Sequence, residues 1–404
     1  MAYFDNAATT FPKPKEVYDF MDEFYRNCAG NAGRGHYSQA MNSVALTEET
    51  RKLILNLFHA LSRQVIFTSS ATIALNMIIQ GVIAKALSYG MPLLQCNEVR
   101  KFDGTPNEKF TVYISPFEHN AVTRVLNAYG DFINIRILPV SKELDYDFKK
   151  MRNDFENETP NFVIVSHASN VFGFISPVEE IFSLAKKYGA ITLLDMAQTA
   201  GLVDISLASE IFDFAVFAGH KTLYGPTGIG GFVMKKEFVL PPILFGGTGF
   251  ESENQKMPGS LPERFEAGTQ NISGIAGLNA ALKWILKIGV NEFFRQEIKN
   301  RTRLIEMLKK YDYIDIVGNV DDKNYVGILS ILFDSSLGIS SDSAGNIFAE
   351  RGISVRSGLQ CAPLAHKFLG TMPAGTVRFS GSWFTKDEDF EDLDAVLRNI
   401  EEEL

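Results

Sequence analysis

Short apolar runs alternate with helical stretches along the first two thirds of the chain. The apolar runs have the length of strands, and small or polar residues follow most of them. Strands are predicted at 64–67, within 111–122, at 133–140, within 161–173, within 190–201, at 214–217 and at 229–233. Helices are predicted at 16–26, 38–60, 73–87, 145–155 and 177–188. This alternation predicts an α/β fold with a mostly parallel, doubly wound sheet.

The pattern changes at a Gly/Pro-rich stretch, 241–268, which is too long for an ordinary connection. Beyond it, helices are predicted at 272–287, 290–310, 342–351 and 386–404, and strands at 325–333 and 376–380. We therefore expect a large domain at 15–270 and a smaller α+β domain at 271–404, which the N-terminal segment 1–14 joins.

Composition narrows the class of protein. The chain has 404 residues, 46% of them hydrophobic and 22% charged, as expected of a globular protein with two domains. A net charge of −9 without a long basic run argues against nucleic acid or an anionic membrane as the main partner. No apolar run approaches the roughly 20 residues of a membrane span, and the first residues lack the pattern of a secretory signal. Three widely spaced cysteines predict a reducing compartment, the cytoplasm, with neither disulfides nor a metal site.

Polar side chains follow three consecutive predicted strands. Asn170 ends one strand, Asp195 and Gln198 end the next, and His220 and Lys221 end the third. The carboxyl ends of parallel strands meet in one crevice, so we expect these side chains to converge. A lysine there is poorly hydrated, which lowers the pKa of its amine and makes it a nucleophile toward carbonyl groups. The alternative is a surface lysine in a Gly-rich turn.

A second pattern predicts an anion site. The strand at 64–67 is followed by small hydroxyl residues, Ser69, Ser70 and Thr72, and then by a helix. The first N–H groups of a helix are free and lie at the positive end of its dipole, which suits a phosphate group. A simple helix cap is the alternative.

Together these positions favour pyridoxal phosphate as a cofactor. Lys221 can form a Schiff base with its aldehyde, and a carboxylate at Asp195 can keep its pyridine nitrogen protonated. Gln198 can hydrogen-bond the phenolic oxygen, and His119, at the end of another predicted strand, can stack on the ring. The helix start and His220 would hold the phosphate.

Nine sequence motifs, in this order, resemble the cysteine desulfurase and selenocysteine lyase group of the class V aminotransferase fold. They are YFDNAATT at 3–10, NAGRGH at 31–36, EHNAV at 118–122, SNVFG at 169–173, LLDMAQ at 193–198, GHKTLYGPTGIGG at 219–231, FEAGTQN at 265–271, VRSGLQCAP at 355–363 and VRFS at 377–380. The resemblance runs nearly from end to end. It implies a pyridoxal-phosphate-dependent homodimer of fold type I, with a mostly parallel mixed sheet in the large domain, a smaller α+β C-terminal domain and active sites at the dimer interface.

The same resemblance implies roles for individual residues. Lys221 would bind the cofactor and carry the proton of the substrate Cα, Cys361 would form a persulfide, and His119 would assist catalysis. The residues implied to bind the cofactor are Lys221, Asp195, Gln198, His119, Ala71, Thr72, His220, Asn170 and, from the neighbouring subunit, Thr269. Those implied to bind the substrate are Arg356, which would hold its carboxylate, and Asn170, Ala7 and His36.

The implied reaction removes sulfur from L-cysteine to give L-alanine and a persulfide on Cys361, which an acceptor protein then receives. One alternative is a selenocysteine lyase or another β-eliminating enzyme of the class. A thiol is less necessary there, because selenium leaves more readily than sulfur. The sequence also leaves open an ordinary transaminase and a non-catalytic protein on the same fold.

Several positions depart from the usual pattern of the family. They are Ala71 and Ala218 in place of hydroxyl residues, Met196 in place of a small residue, Gln360 in place of a histidine, the additional Thr222, and an insertion near 95–109. Pyridoxal phosphate stays the expected cofactor despite these departures. They bear on the identity of the physiological substrate. The short segment around Cys361 resembles that of desulfurases whose cysteine is held in place.

Overall fold

The computed structural model describes residues 1–32, 35–87, 109–318 and 324–403. Almost all of the insertion expected near 95–109 lies outside the described residues, as does Arg34 in the motif at 31–36. In the part of the chain that is described, no helix is both long enough and apolar enough to cross a membrane.

Strands and helices alternate through the described residues. The strands are β1 Ala2–Tyr3, β2 Gln64–Thr68, β3 Phe110–Ile114, β4 Ile133–Ile137, β5 Phe162–Ser166, β6 Ile191–Asp195, β7 Phe214–Ala218, β8 Gly230–Met234, β9 Ile314–Ile316, β10 Ile328–Phe333, β11 Ile353–Ser354, β12 Arg356–Gly358 and β13 Thr376–Ser380. The helices are α1 Lys15–Asn27, α2 Ser38–Leu57, α3 Ala71–Leu87, α4 Asn120–Asn127, α5 Phe148–Asn157, α6 Val178–Lys187, α7 Ile272–Ile288, α8 Val290–Leu308, α9 Ser341–Glu350, α10 Pro363–Leu369 and α11 Asp387–Glu403, with a short 3₁₀ helix at Ser335–Leu337.

The largest sheet has seven strands in the order β2-β8-β7-β6-β5-β3-β4. β8 runs antiparallel to β2 and β7, and all other neighbours are parallel. The mostly parallel mixed sheet predicted from the sequence is therefore confirmed. Strands β3, β5, β6, β7 and β8 are buried along their whole length, because helices cover both faces of the sheet.

The two faces of this sheet pack into separate apolar cores. Phe162 and Ile164 of β5 belong to the core that includes α3 and α4. Val163 and Val165 belong to the core that includes α2, α6 and α7. Successive side chains of a strand point to opposite faces, so a strand between two cores is apolar at every position.

The C-terminal part carries a four-stranded antiparallel sheet in the order β12-β13-β10-β9. Its core joins Leu329 of β10 and Phe379 of β13 to the inner faces of α8, α9 and α11. β1 pairs in parallel with β11, which brings the start of the chain to this part of the fold. α7 packs with α1 and α2 in the core of the large sheet. The domain division at residue 270 stays a prediction.

The strand predicted at 325–333 is shorter in the structure and begins at Ile328. Tyr325 forms an isolated bridge with Phe174 instead, so the residues before Ile328 pair outside the small sheet. The short strands β1, β9, β11 and β12 have too few residues for a recognisable alternation, and the apolar pattern does not predict them.

The helix predicted at 145–155 begins at Phe148. The side chain of Asp147 accepts a hydrogen bond from Lys150 N at 2.8 Å and caps the first turn. The apolar pattern also misses α4 and α10, which are short helices of eight and seven residues.

A buried ion pair bonds to the outward backbone groups of the edge strand β2. Val65 O accepts from Arg51 Nη1 at 2.6 Å, and Phe67 N donates to Glu266 Oε1 at 2.7 Å. Arg51 and Glu266 also bond to each other in parallel, at 2.9 and 2.7 Å. Their side chains are 5% and 6% exposed. The pair satisfies the outward backbone groups of the edge and ties α2 to the segment before α7.

Replacing Glu266 with alanine is expected to lower the free energy of unfolding by about 3–5 kcal/mol, because it leaves the buried Arg51 without its buried partner. Asp22→Ala is the control: Asp22 pairs with Arg26 at the exposed surface, where a pair contributes about 1 kcal/mol or less. Urea unfolding measures both values. Equally small losses in the two variants would contradict a stabilising role for the buried pair.

Candidate active site

The carboxyl ends of β5, β6 and β7 open into one cleft, with about 560 Å³ of empty space. Eight of the nine residues expected to bind the cofactor line this cleft: Ala71, Thr72, His119, Asn170, Asp195, Gln198, His220 and Lys221. The sheet therefore brings together side chains that are up to 150 positions apart in the sequence.

Lys221 and Asp195 stand at the ends of neighbouring strands. Asp195 is the last residue of β6, and Lys221 comes three positions after the end of β7. Burial lowers the pKa of the Lys221 amine to about 8, although the negative charge of Asp195 acts in the opposite direction. Burial raises the pKa of the Asp195 carboxyl, while a hydrogen bond of 2.9 Å from Ala197 N to Oδ1 acts against this. Near pH 8 a large share of the amine is neutral and can act as a nucleophile or a base.

The start of α3 forms the end of the cleft that suits an anion. α3 begins at Ala71, and Ser70 Oγ accepts a hydrogen bond from Ile73 N at 3.3 Å. Gly230 packs against this turn, and a Cβ at Gly230 would lie 2.9 Å from Ala71 N. His220 Nδ1 is buried, and it has no hydrogen-bond partner among the described residues. An oxygen of an anion at the helix start would satisfy this nitrogen.

His119 is fixed by the helix that follows it. Its Nδ1 accepts a hydrogen bond from Ala121 N at 3.0 Å, so the hydrogen of the neutral ring is on Nε2. Burial, together with the positive charges of Lys221 and Arg124, lowers the pKa of His119 to about 4. The ring is therefore neutral near pH 7, which suits stacking on a flat ligand.

The N-terminal segment reaches the cleft through Gln198. Gln198 Nε2 donates to Ala7 O at 3.0 Å, and Ala7 N donates to Ser380 Oγ at 2.8 Å. Ala7, which the resemblance implies as a substrate contact, thus lies between the large sheet and β13, beside the cleft.

Cys361 lies on a tight turn between β12 and α10. Gln360 and Cys361 both have left-handed backbone, with φ of 41° and 58°. Cys361 O accepts from Asn120 N at 2.7 Å, and Asn170 Nδ2 donates to Gln360 O at 2.7 Å. The Cys361 side chain is exposed, and it is close enough to Lys221 for a charge on the thiol to raise the pKa of that lysine. The turn therefore holds Cys361 beside the residues that line the cleft.

Arg356 and Arg378 lie directly opposite each other on β12 and β13. Arg356 is exposed, whereas Arg378 is buried and donates to Asn170 O at 2.8 Å and to Asp5 Oδ1 at 2.6 Å. Sequence reasoning missed the ion pair of Asp5 and Arg378. Its signal is the arginine inside the apolar strand TVRFS, because a buried guanidinium requires a partner.

Two residues expected at the site lie elsewhere in the single chain. Thr269 lines a neighbouring cavity with about 700 Å³ of empty space, together with Ser69 and Glu266. His36 is exposed just before α2, and no contact seen in the described ranges connects it to the cleft. The roles of these two residues stay predictions, as do those of the residues that line the cleft. Across the described residues, no cluster of three or more histidine, cysteine, aspartate or glutamate side chains could hold a metal ion.

Comparisons with known proteins agree with this geometry. The sequence model of the Aminotransferase class-V family matches residues 2–94 and 99–396. The probable cysteine desulfurases of Methanothermobacter thermautotrophicus and Pyrococcus abyssi are each 30% identical to this chain, over 98% of its length and 94% of theirs. The apo structure of the cysteine desulfurase from Thermococcus onnurineus has a TM-score of 0.85 at 29% identity, and the match covers 100% of this chain and 95% of that one. The resemblance inferred from the motifs is confirmed, and the chain belongs to the aminotransferase class-V family, in the group that contains the cysteine desulfurases.

Proposed function

We propose that the protein is a pyridoxal-phosphate-dependent cysteine desulfurase, which takes the sulfur of L-cysteine onto Cys361 and releases L-alanine. The observation that carries the proposal is that the turn bearing Cys361 is bonded to Asn170, which lines the cleft, and to Asn120, which follows His119. A charge on the Cys361 thiol also acts on Lys221. A lysine of lowered pKa beside a buried carboxylate supports chemistry at the substrate Cα, and a thiol supplies an acceptor for sulfur. An ordinary transaminase has no use for a thiol at this place.

The residues present at the cleft fit pyridoxal phosphate at both ends. Thr72, in the first turn of α3, and the unpartnered Nδ1 of His220 would hold the phosphate. Asp195 would hold the pyridine nitrogen, Gln198 the phenolic oxygen, and His119 would cover one face of the ring. When bound, the cofactor supplies an aldehyde that condenses with amines and a ring that withdraws electrons from the substrate Cα.

Lys221 would move the proton of the substrate. Burial keeps a large share of its amine neutral near pH 8, and a neutral amine can take the proton from Cα. The carboxylate of Asp195, oriented by Ala197 N, would stabilise positive charge at the far side of the cleft while the proton moves.

Cys361 would then take the sulfur. Its thiolate attacks the substrate sulfur, and the new S–S bond forms as the bond between Cβ and sulfur breaks. The electron pair of the broken bond stays with Cβ, which is protonated to give alanine. The persulfide remains on an exposed side chain, where an acceptor protein can reach it.

Two arginines together would hold the substrate carboxylate. Arg378 is fixed by Asp5 and the Asn170 carbonyl, and its positive charge lowers the pKa of Lys221. Arg356 is exposed directly across from it and is free to turn toward a ligand. A planar guanidinium suits bidentate binding of a carboxylate.

A second copy of the chain would complete the site. Thr269 is exposed and lines a cavity that also includes Ser69, just before the start of α3. Thr269 does not reach the cleft of its own chain. From a partner subunit, its hydroxyl could reach the phosphate of the neighbouring cleft.

The reaction of the cofactor-free protein with pyridoxal phosphate should follow the ionisation of Lys221. Below pH 8 we expect the visible absorption band to form about tenfold faster per pH unit, and above it the rate should level off, because only the neutral amine attacks the aldehyde. Stopped-flow absorbance measures the rate. Burial also lowers the pKa of Lys13 to about 8, so Lys221→Ala, which retains Lys13, is the control and should form no band. A rate that still rises near about pH 10, the ordinary range of a lysine, would contradict the assignment.

Replacing Cys361 with alanine is expected to lower alanine formation from L-cysteine at least about 100-fold, because a positioned nucleophile has a large effective concentration. Exchange of the substrate Cα proton with deuterated water should persist, because it depends on Lys221. Alanine is measured by chromatography and exchange by NMR. Unchanged alanine formation from L-cysteine in the variant would exclude the persulfide. A wild-type protein that forms alanine from L-selenocysteine but not from L-cysteine would instead be a selenocysteine lyase.

Arg356→Gln and Arg378→Lys should each raise the KM for L-cysteine by about tenfold to 100-fold, with a smaller effect on kcat. The first removes a charge-assisted contact to the carboxylate, and the second removes the bidentate geometry of the guanidinium. Arg398→Gln is the control, since Arg398 lies at the surface and pairs with Asp394. Steady-state kinetics at saturating cofactor gives both constants. If only one of the two variants changes KM, the carboxylate is held by that arginine alone.

A further inference from the structure

We propose that the Gln360 side chain, oriented by His366, is a positioning device for Cys361. It holds the Cys361 turn, defined here as residues 359–362, in the one conformation that presents the thiol to the substrate sulfur. This inference rests on the proposed desulfurase function and adds a residue that acts on the sulfur-transfer step only.

The Cys361 turn is conformationally costly. It is closed by a hydrogen bond of 2.9 Å from Ala362 N to Leu359 O. Its two central residues, Gln360 and Cys361, both have positive φ, although each carries a Cβ that disfavours left-handed backbone. Such a conformation persists only when contacts outside the turn hold it.

The Cys361 side chain does not supply those contacts. It is exposed, so the position of the thiol follows from the backbone of the turn. The neighbouring Gln360 side chain is buried, at 5% exposed, and lies under the turn. What fixes Gln360 therefore fixes the backbone and Cβ that carry the thiol.

Every hydrogen-bonding position of the Gln360 amide is used. Its Nε2 donates to Thr376 O at 2.9 Å and to Arg356 O at 3.3 Å. Its Oε1 lies 2.8 Å from His366 Nε2 and accepts from Thr376 Oγ1 at 3.3 Å. Both neighbours of Nε2 are carbonyl oxygens, which only accept, so the amide has a single possible orientation.

His366 and Thr371 enforce that orientation. Because Gln360 Oε1 can only accept, His366 Nε2 must carry the hydrogen. His366 is fully buried, and burial lowers its pKa, so the ring is neutral and its Nδ1 accepts from Thr371 Oγ1 at 2.7 Å. The hydrogen bonds run in one direction, from Thr371 through His366 to Gln360.

The other side of the turn is held by the large sheet. Asn120 N donates to Cys361 O and Asn170 Nδ2 donates to Gln360 O, each at 2.7 Å. Asn170 lines the cleft, and Asn120 follows His119. The Cys361 turn is thus fixed between the small sheet and the residues that surround Lys221. This sets the distance between the Cys361 turn and Lys221.

Gln360→Met is the decisive substitution, because it keeps the length of the side chain and removes all four hydrogen bonds. We expect alanine formation from L-cysteine to fall about 100-fold, the usual effect of misplacing a reacting group. Exchange of the substrate Cα proton in deuterated water should remain at the wild-type rate, because Lys221 is untouched. Lys367→Ala, an exposed change on α10, is the control and should leave both rates unchanged.

Thr371→Val tests the same hydrogen-bond chain from its far end and leaves Gln360 in place. We expect a smaller loss of alanine formation, again without loss of proton exchange. If either variant loses proton exchange in proportion to alanine formation, Gln360 acts on the fold as a whole and the proposal is wrong. It is equally wrong if Gln360→Met forms alanine at the wild-type rate.

Hydrogen exchange of the cofactor-free protein gives a readout that does not depend on activity. The Asn120 amide is bonded to Cys361 O, so release of the turn in Gln360→Met should speed its exchange about tenfold. Unchanged exchange at Asn120 would overturn the proposal even if the variant were inactive. A wild-type protein that forms no alanine would contradict the proposed function, while this measurement would still decide whether Gln360 holds the turn.

Discussion

The desolvation of Lys221 at the end of β7 is the constraint on which the rest of the site depends. Burial lowers the pKa of this amine to about 8, because the strand before it lies between two cores. The same burial raises the pKa of Asp195 on the adjacent strand, and the attraction between the two opposite charges acts against both shifts. Helices cover this end of the sheet on both faces. Gly230 of β8 allows the start of α3 to approach closely. The fold thus creates the chemistry by removing water from charged groups.

Much of this could be predicted from the sequence, because the signals are local. A mostly apolar run that ends at Asp195, or three positions before Lys221, marks both the strand and the place where it ends. The contacts that could not be predicted join residues far apart in the chain. Asp5 and Arg378 are separated by 373 positions, and the sequence around neither residue indicates the other as its partner. The left-handed backbone at Gln360 was equally hidden, since no glycine marks it.

The N-terminal segment lies beside the cleft and contacts residues that line it. Ala7 O accepts from Gln198, and Asp5 neutralises the buried Arg378. Lys13 Nζ donates to His220 O at 2.7 Å, directly before the reactive lysine in the chain. These three contacts lie on one stretch that begins as a strand of the small part of the fold and ends against the large sheet. A segment with little secondary structure of its own therefore determines how the two parts face each other across the site.

In the proposed reaction, the two parts of the fold contribute different steps. The large sheet supplies Lys221 and Asp195, which act at the substrate Cα, and the turn after β12 supplies the thiol of Cys361. If these two parts of the fold moved independently, the thiol would lose its fixed position relative to the substrate. Fixed geometry matters because the thiol must approach the substrate sulfur along one direction. The carbonyl oxygens of Gln360 and Cys361 instead accept hydrogen bonds from Asn170 and Asn120, which belong to the large-sheet part of the fold. The Gln360 side chain is bonded to the small sheet. A thiol held in this way cannot travel far to deliver sulfur, and its exposure allows an acceptor to approach it instead.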